Sequence, residues 1–208
     1  MPEVPELLLI DKPKGITSMG VIRVLRKQYN IKKMGHAGTL DPLATGLMLV
    51  GVGKGTKKLT ELIKLDKEYI AEVLIGESRT TGDMEGEIIE SKKVEGLKSE
   101  AVESILHEMV GSLTLPVSAY SASKIDGVPM YKRARRAEKT GDIVTEVPVR
   151  EMKVYEAEAL SYMIVGERAV ATIRFAVGSG TYIRSLAEEL GRRLGYPATL
   201  QNLRRTKV

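Results

Sequence analysis

One short segment of the sequence, residues 35–46, combines a single carboxylate with the backbone freedom that a catalytic loop needs. It reads Gly35-His36-Ala37-Gly38-Thr39-Leu40-Asp41-Pro42-Leu43-Ala44-Thr45-Gly46. Glycine permits positive φ angles and close approach of a substrate, and Pro42 stiffens the chain directly after Asp41. A carboxylate mounted in this way can act as a nucleophile. The same pattern is also typical of an ordinary turn, so the segment alone leaves both interpretations open.

Several other kinds of catalytic centre are excluded or disfavoured by residues that the chain lacks. There are no cysteines, which excludes disulfides, thiolate nucleophiles and zinc sites with cysteine ligands. The two histidines, His36 and His107, are too few for a histidine-rich metal site. The glycine spacing in residues 35–46 is neither the dinucleotide-binding nor the Walker phosphate pattern. We therefore expect no metal and no other cofactor.

The formal net charge is +5, and the basic residues are clustered. The clusters are Arg23 to Lys27, Lys32-Lys33, Lys57-Lys58, Lys132 to Arg136, Arg192-Arg193 and Arg204-Arg205. Acidic residues lie mainly around residues 83–108 and 151–158. Such clusters suit a polyanionic partner, but solvated helix faces have the same composition, so charge alone does not decide between them.

Length and patterning predict one mixed α/β domain over residues 1–208, with a long basic insertion at residues 116–150. Predicted strands cover residues 7–11, 47–52, 67–76, 151–160 and 168–177, and predicted helices cover 19–29, 54–65, 99–110, 131–139 and 181–195. Thr17 or Ser18 is expected to cap the first helix, Ser99 the third, and Gly195 to end the last. Residues 77–87 read as a polar loop. Since the sequence has no long apolar run and does not start like a signal peptide, we expect a cytoplasmic protein.

Six blocks, in order along the chain, resemble the motifs of the TruB-type tRNA pseudouridine synthases. They are the catalytic segment 35–46 and five others: Asp11 to Ser18; Lys67-Glu68-Tyr69; Thr81 to Gly86; Ser121 to Lys124 with Gly127, Tyr131, Ala134 and Arg135; and Gly180 to Leu186. Together they cover about residues 7–206, so the resemblance is specific. It implies an α+β fold in which helices flank a mixed, largely antiparallel central sheet, with a thumb-like RNA-binding insertion at about 118–150.

The resemblance also implies the reaction: conversion of uridine-55 in the T arm of tRNA to pseudouridine, without redox chemistry, ATP or a metal. The partner would be the T-arm stem–loop of tRNA. The enzyme would be a monomer that binds no membrane and needs no obligatory protein partner. Asp41 would be the nucleophile, and whether it attacks the sugar or the uracil stays open. Arg184 would pair with Asp41 and keep it charged and oriented. Tyr69 would stack on the target base and serve in proton transfer.

Further substrate contacts follow from the same resemblance. His36 would fill the place of the flipped base, Tyr182 and Leu203 would form apolar wall beside that base, and Lys67 is left without a defined role. The basic residues of the thumb-like insertion would bind phosphate; these are Lys124, Lys132, Arg133, Arg135 and Arg136. Asp83 is expected to be a loop or substrate-positioning residue. Without the resemblance, Arg184 reads as a phosphate clamp or surface charge, and Tyr69 as plain core.

Two departures from the family pattern stand out. The paired prolines expected before the thumb are reduced to Pro116, and the sequence ends at Val208, where relatives continue into an RNA-binding module of the PUA type. The leading interpretation is therefore a short pseudouridine synthase. The alternatives are an RNA-binding or tRNA-folding chaperone with little turnover, and, less favoured, a guide-RNA-dependent synthase.

Overall fold

The structure, a computed structural model, describes residues 4–118, 120–121, 124–140 and 147–208. Its strands are β1 Leu7–Lys12, β2 Met34–Ala37, β3 Thr45–Val52, β4 Lys67–Ile75, β5 Glu77–Arg79, β6 Ile88–Ser91, β7 Gly111–Pro116, β8 Lys124–Ile125, β9 Val128–Pro129, β10 Val149–Val165, β11 Arg168–Val177 and β12 Ala198–Lys207. Its helices are α1 Ser18–Tyr29, α2 Leu59–Leu62, α3 Ser99–Glu108, α4 Met130–Thr140 and α5 Ile183–Leu194, with a 3-10 turn at Gly53–Lys58. None of the helices in these residues is long and apolar enough to cross a membrane.

A mixed sheet forms the centre of the molecule, in the order β1-β3-β12-β4-β11-β10-β7, with β2 paired to β3. Every neighbouring pair is antiparallel except β12 and β3, which run parallel. Helices α3 and α5 pack together against this sheet. The α+β fold with a largely antiparallel sheet is therefore confirmed.

Two apolar clusters stabilise the fold because burial alternates along the strands. In β11 every second side chain from Ala169 to Val177 is buried, and these side chains join the larger cluster under α3 and α5. The smaller cluster lies between α1 and the strands β2 and β3. Leu40 and Leu43 of the segment 35–46 belong to the larger cluster, so this segment is anchored in the main core.

The structure corrects several predicted boundaries. Strand β12 was not predicted, although it lies in the middle of the sheet between β3 and β4. Part of the predicted polar loop 77–87 is strand β5, which pairs with β6. The predicted helix 54–65 is a 3-10 turn followed by the short α2. Ser99 does not cap α3, because it is the first helical residue and its hydroxyl contacts Glu100. Thr17, not Ser18, caps α1 by accepting from the amide of Gly20 at 2.9 Å.

Candidate active site

Asp41 lies in the loop between β2 and β3, and neighbouring segments hold this loop in place. Ser18, at the start of α1, exchanges two hydrogen bonds with the backbone of Leu40, at 2.8 and 3.0 Å. The carbonyl of Pro42 accepts from the amide of Gly15 at 2.8 Å. Gly46, the second residue of β3, has φ +101°, and a Cβ there would lie 2.2 Å from the carbonyl oxygen of Arg205, so glycine is required. The residues on either side of Asp41 are therefore fixed.

An ion pair between the partly exposed Asp41 and the buried Arg184 joins the loop to α5. The guanidinium Nη2 of Arg184 lies 3.1 Å from the Oδ2 of Asp41, as the resemblance led us to expect. Arg184 is only 5% exposed, so the interpretation as a surface charge is wrong. Its remaining donors reach the carbonyl of Thr81 at 2.9 Å, the hydroxyl of Ser118 at 3.2 Å and the carbonyl of Tyr120 at 3.3 Å. Such a planar, multiply bonded guanidinium has little freedom to turn away from Asp41.

Asp83 is the second carboxylate beside Arg184, and the two carboxylates differ in exposure. The Asp83 side chain is 4% exposed and lies 3.6 Å from Arg184, whereas that of Asp41 is 38% exposed. The hydroxyl of Thr81 donates to Asp83 at 2.6 Å, and the amide of Glu85 donates at 3.1 Å. Asp83 therefore orients Arg184 from behind, while Asp41 presents an oxygen to the open side.

Two cavities flank Asp41 and Arg184. One, of about 300 Å³, contains both residues and four other residues predicted for the site: Lys67, Tyr69, Tyr182 and Leu203. The other, of about 390 Å³, shares Asp41 and Arg184 and is lined in addition by His36 and Met19. We call them the inner cavity and the outer cavity. The side chains of Lys124 and Arg135 lie outside the described part of the structure, so their RNA contacts stay predictions.

Tyr69 is both a core residue and part of the inner cavity. It is 7% exposed and packs in the larger apolar cluster. Burial raises the pKa of its phenol above 10.0, and this rise is partly opposed by the charge of Arg205 and a hydrogen bond to it. The phenol is therefore protonated at neutral pH, and it can donate a hydrogen bond or a proton within the cavity.

Lys67 opens strand β4 at the edge of the inner cavity. Its ammonium donates to the carbonyls of Ile63, at 2.8 Å, and Leu65. Burial lowers the pKa of Lys67, and the nearby charge of Arg205 lowers it further. Because two of its three donors are bound to carbonyls, Lys67 ties the turn after α2 to the cavity wall.

Arg205 is a site residue that the sequence reasoning missed. It is 1% exposed and lines the inner cavity from β12, directly opposite Tyr69 of β4. Its Nε donates to the carbonyl of Leu47 at 2.6 Å and its Nη2 to that of Gly38 at 3.4 Å. Arg205 thus joins β3 to the catalytic loop beside Tyr69. The one available signal was the spacing of two between Leu203 and Arg205, which puts both side chains on one face of a strand.

Comparison with known proteins places this geometry in a family. The model of the TruB family pseudouridylate synthases (N terminal domain) matches residues 26–183. The chain belongs to the TruB family. Pseudouridylate synthases are isomerases, so membership assigns the chain to that enzyme class.

Curated relatives with the same family features cover nearly all of this chain. The tRNA pseudouridine synthase B of Corynebacterium glutamicum (strain R) is 37% identical over 204 residues, which are 98% of this chain and 67% of that protein. The tRNA pseudouridine synthase B of Leifsonia xyli subsp. xyli is 41% identical over 205 residues, which are 97% of this chain and 66% of that protein. The chain thus spans about two thirds of the length of these TruB relatives.

Solved structures agree with the TruB assignment. A Cbf5-Nop10-Gar1 complex matches with a TM-score of 0.68 and 26% identity, over 97% of this chain and 48% of that chain. An H/ACA RNP bound to a substrate RNA containing 2'-deoxyuridine matches with a TM-score of 0.67 and 27% identity, over 97% of this chain and 46% of that chain.

In the described part of this TruB chain, no group of three or more acidic or histidine side chains is arranged to hold a metal ion.

His36 gives a testable pH dependence in this TruB chain. Burial lowers its pKa below the ordinary 6.5, so the unfolded chain binds this proton more readily than the folded one. We expect the free energy of unfolding, relative to that of His36→Gln, to decrease as the pH falls from 7.5 through 6.5 towards the folded-state pKa. Urea unfolding of both proteins between pH 7.5 and 5 measures this difference. His107→Gln on α3 is the control, and an equal pH dependence in the wild type and His36→Gln would contradict the prediction.

Proposed function

We propose that this chain isomerises uridine to pseudouridine in tRNA, at uridine-55 of the T arm, with Asp41 as nucleophile and without a cofactor. The observation that carries the proposal is the half-exposed Asp41 carboxylate, 3.1 Å from a buried arginine and open to a cavity of about 300 Å³. Family membership and relatives named tRNA pseudouridine synthase B support the reaction and the RNA class. The T-arm position follows from the motif resemblance.

The reaction needs no external electrons or groups. The bond between C1′ of the ribose and N1 of uracil breaks, the uracil rotates, and C1′ bonds to C5. C5 loses its hydrogen and N1 gains one, so the product has the composition of the substrate. A carboxylate can carry this sequence by covalent attack on C1′ or on the uracil ring, and either route starts from an ionised Asp41.

The remaining residues of the inner cavity would hold and deprotonate the base. Tyr69 would stack on the uracil, and its hydroxyl would give its proton to N1 and take up the proton that C5 loses. Tyr182 and Leu203 would form the apolar wall beside the base. Lys67 would fix the cavity edge, in keeping with its two bonds to carbonyls.

The outer cavity suits RNA next to the extracted nucleotide. His36 lines this cavity and would occupy the gap that the extracted base leaves in its stack. Lys124 and Arg135 would bind phosphates from the thumb-like segment, residues 118–150. One catalytic domain over residues 1–208, a monomeric state, a cytoplasmic location and independence of protein partners also belong to this proposal.

Removing the Tyr69 hydroxyl tests its part in proton transfer. In Tyr69→Phe the ring and its stacking remain, so we expect RNA affinity within a few-fold of wild type. We expect kcat to fall by about 10²-fold or more, the usual size of one general acid–base contribution. Tyr162→Phe is the matched control, because its hydroxyl donates to the carbonyl of Leu97, outside both cavities. If Tyr69→Phe and the control have the same kcat, the Tyr69 hydroxyl takes no part in proton transfer.

The proposed reaction is tested with a T-arm stem–loop that carries tritium at C5 of its uridines. Since C5 loses its hydrogen, turnover releases tritium into water, and we expect release in buffer containing a chelator and no added cofactor. A stem–loop with cytidine at the target position should release none from the remaining uridines. Tight RNA binding without tritium release would contradict the proposed enzymatic activity and favour a role in RNA binding or tRNA folding.

A further inference from the structure

The positive charge of this chain is concentrated in one part of the fold. Residues 12–60 contain ten lysines and arginines but only one carboxylate, Asp41, whereas the rest of the chain has 22 lysines and arginines and 26 acidic residues. The entire positive excess therefore lies in this stretch. It comprises α1, β2, β3 and the 3-10 turn, which pack around the smaller apolar cluster. We call it the N-terminal basic layer.

Many of these charges are available on the surface. Arg23 and Lys27 lie on the exposed face of α1, and Lys32 and Lys33 follow the helix, also exposed. In the described part of the chain none of these four side chains lies within 4.0 Å of a carboxylate. The helix α1 contains no acidic residue at all. Four like charges without neutralising partners are a cost to the folded chain unless a polyanion binds there.

The N-terminal basic layer leads directly to the outer cavity. Met19 at the start of α1 lines that cavity, and Arg23 and Lys27 follow at intervals of four residues, which puts all three on one helix face. His36 lines the same cavity and lies three residues after Lys33, about 10 Å along an extended chain. Two separate segments therefore connect the cavity to the same group of basic side chains.

The exposed lysines of the 3-10 turn extend this surface. The carbonyl of Lys33 accepts from the amide of Gly53 at 2.8 Å, so the turn carrying Lys54 and Lys57 begins beside Lys33. The length of α1, about 18 Å at 1.5 Å per residue, gives a basic surface long enough for several successive phosphates.

We propose that the N-terminal basic layer is a second RNA-binding surface, which binds the phosphate backbone of the RNA beyond the outer cavity, independently of the thumb-like segment. This proposal rests on the proposed function for the identity of its ligand. It assigns the non-specific, salt-dependent part of RNA affinity mainly to residues 12–60.

Paired charge removals test this surface. The variants are Arg23→Gln/Lys27→Gln and Lys32→Gln/Lys33→Gln, and the control with the same loss of charge is Lys93→Gln/Lys98→Gln, whose lysines are exposed elsewhere. We expect each test variant to bind a T-arm stem–loop with flanking strands about tenfold more weakly at 0.1 M salt, and to reduce the slope of log K against log salt by about 1.4–1.8 for two lost phosphate contacts. Melting temperatures near wild type should show that the fold is intact.

The same proteins separate this proposal from the proposed function. Because none of these residues lines the inner cavity, we expect kcat at saturating RNA to stay at the wild-type value. If the test variants have the same RNA affinities and salt slopes as the control variant, the proposed RNA-binding surface is wrong, whatever the turnover. If their salt slopes are reduced but the wild-type chain forms no pseudouridine, the RNA-binding surface is supported and the proposed function is wrong.

Discussion

Asp41→Asn is expected to abolish pseudouridine formation, with kcat reduced by at least about 10⁴-fold, while tRNA affinity stays within a few-fold of wild type. The amide has the shape of the carboxylate, and its oxygen can still accept from Arg184, so the loop should keep its position. It has no negative charge and is a poor nucleophile, so the covalent step is lost. Single-turnover rates at saturating enzyme, with affinities measured in parallel, separate these two effects.

Asp11 provides a control for this experiment, because it is an aspartate in an ion pair outside the site. Asp11 forms an exposed ion pair with Arg204 at 2.7 Å and lines neither cavity. Asp11→Asn should therefore turn over at the wild-type rate. Substantial turnover by Asp41→Asn, after the protein has been checked for reversion to aspartate by mass spectrometry, would show that another group attacks the substrate.

The second large effect is expected from Arg184→Met, which leaves two carboxylates without their shared cation. Asp83 is buried on one side of Arg184 and Asp41 is half-exposed on the other. Loss of one partner of a buried ion pair typically lowers the free energy of unfolding by about 3–5 kcal/mol. Loss of a preorganised charge at a reacting group typically lowers kcat by about 10²–10³-fold. Urea unfolding and single-turnover rates measure the two effects.

Because Arg184→Met could fail to fold, Arg184→Lys provides a second test. A lysine keeps the charge near both carboxylates, but it cannot also reach the acceptors at Thr81, Ser118 and Tyr120 in one planar arrangement. We expect Arg184→Lys to be folded, with kcat still reduced by about tenfold or more. Arg192→Met, in the last turn of the same helix and 71% exposed, is the control. Wild-type turnover in a folded Arg184→Lys protein would argue against the need for the orienting guanidinium.

The sequence predicted the parts of this fold in which local pattern and final environment agree. Strands β4 and β11 carry an apolar residue at every second position, from Tyr69 to Ile75 and from Ala169 to Val177, and each was predicted within two residues of its observed bounds. The loop around Asp41 was singled out by its glycines and proline. The pairing of Asp41 with Arg184 was different, since these residues are far apart in sequence and only the family resemblance connected them before the structure did.

Strand β12 shows why other parts could not be predicted. A register shift between Leu200 and Asn202 breaks the alternation, so buried residues do not follow a period of two across the strand. The neighbouring Arg204 and Arg205 read as a surface pair, although Arg204 is exposed and Arg205 is fully buried. Strand β6 was not predicted for another reason. All four of its residues are exposed, so its sequence shows no alternation of buried apolar and exposed polar residues.

The most direct test of the account is a map of pseudouridine, at nucleotide resolution, in complete unmodified tRNA after incubation with the purified chain or with its Asp41→Asn variant at equal RNA occupancy. We expect one new pseudouridine at the T-loop uridine with the wild type and none with the variant. Modification at that uridine by both proteins, or its absence with a wild-type chain that binds the tRNA, would contradict it.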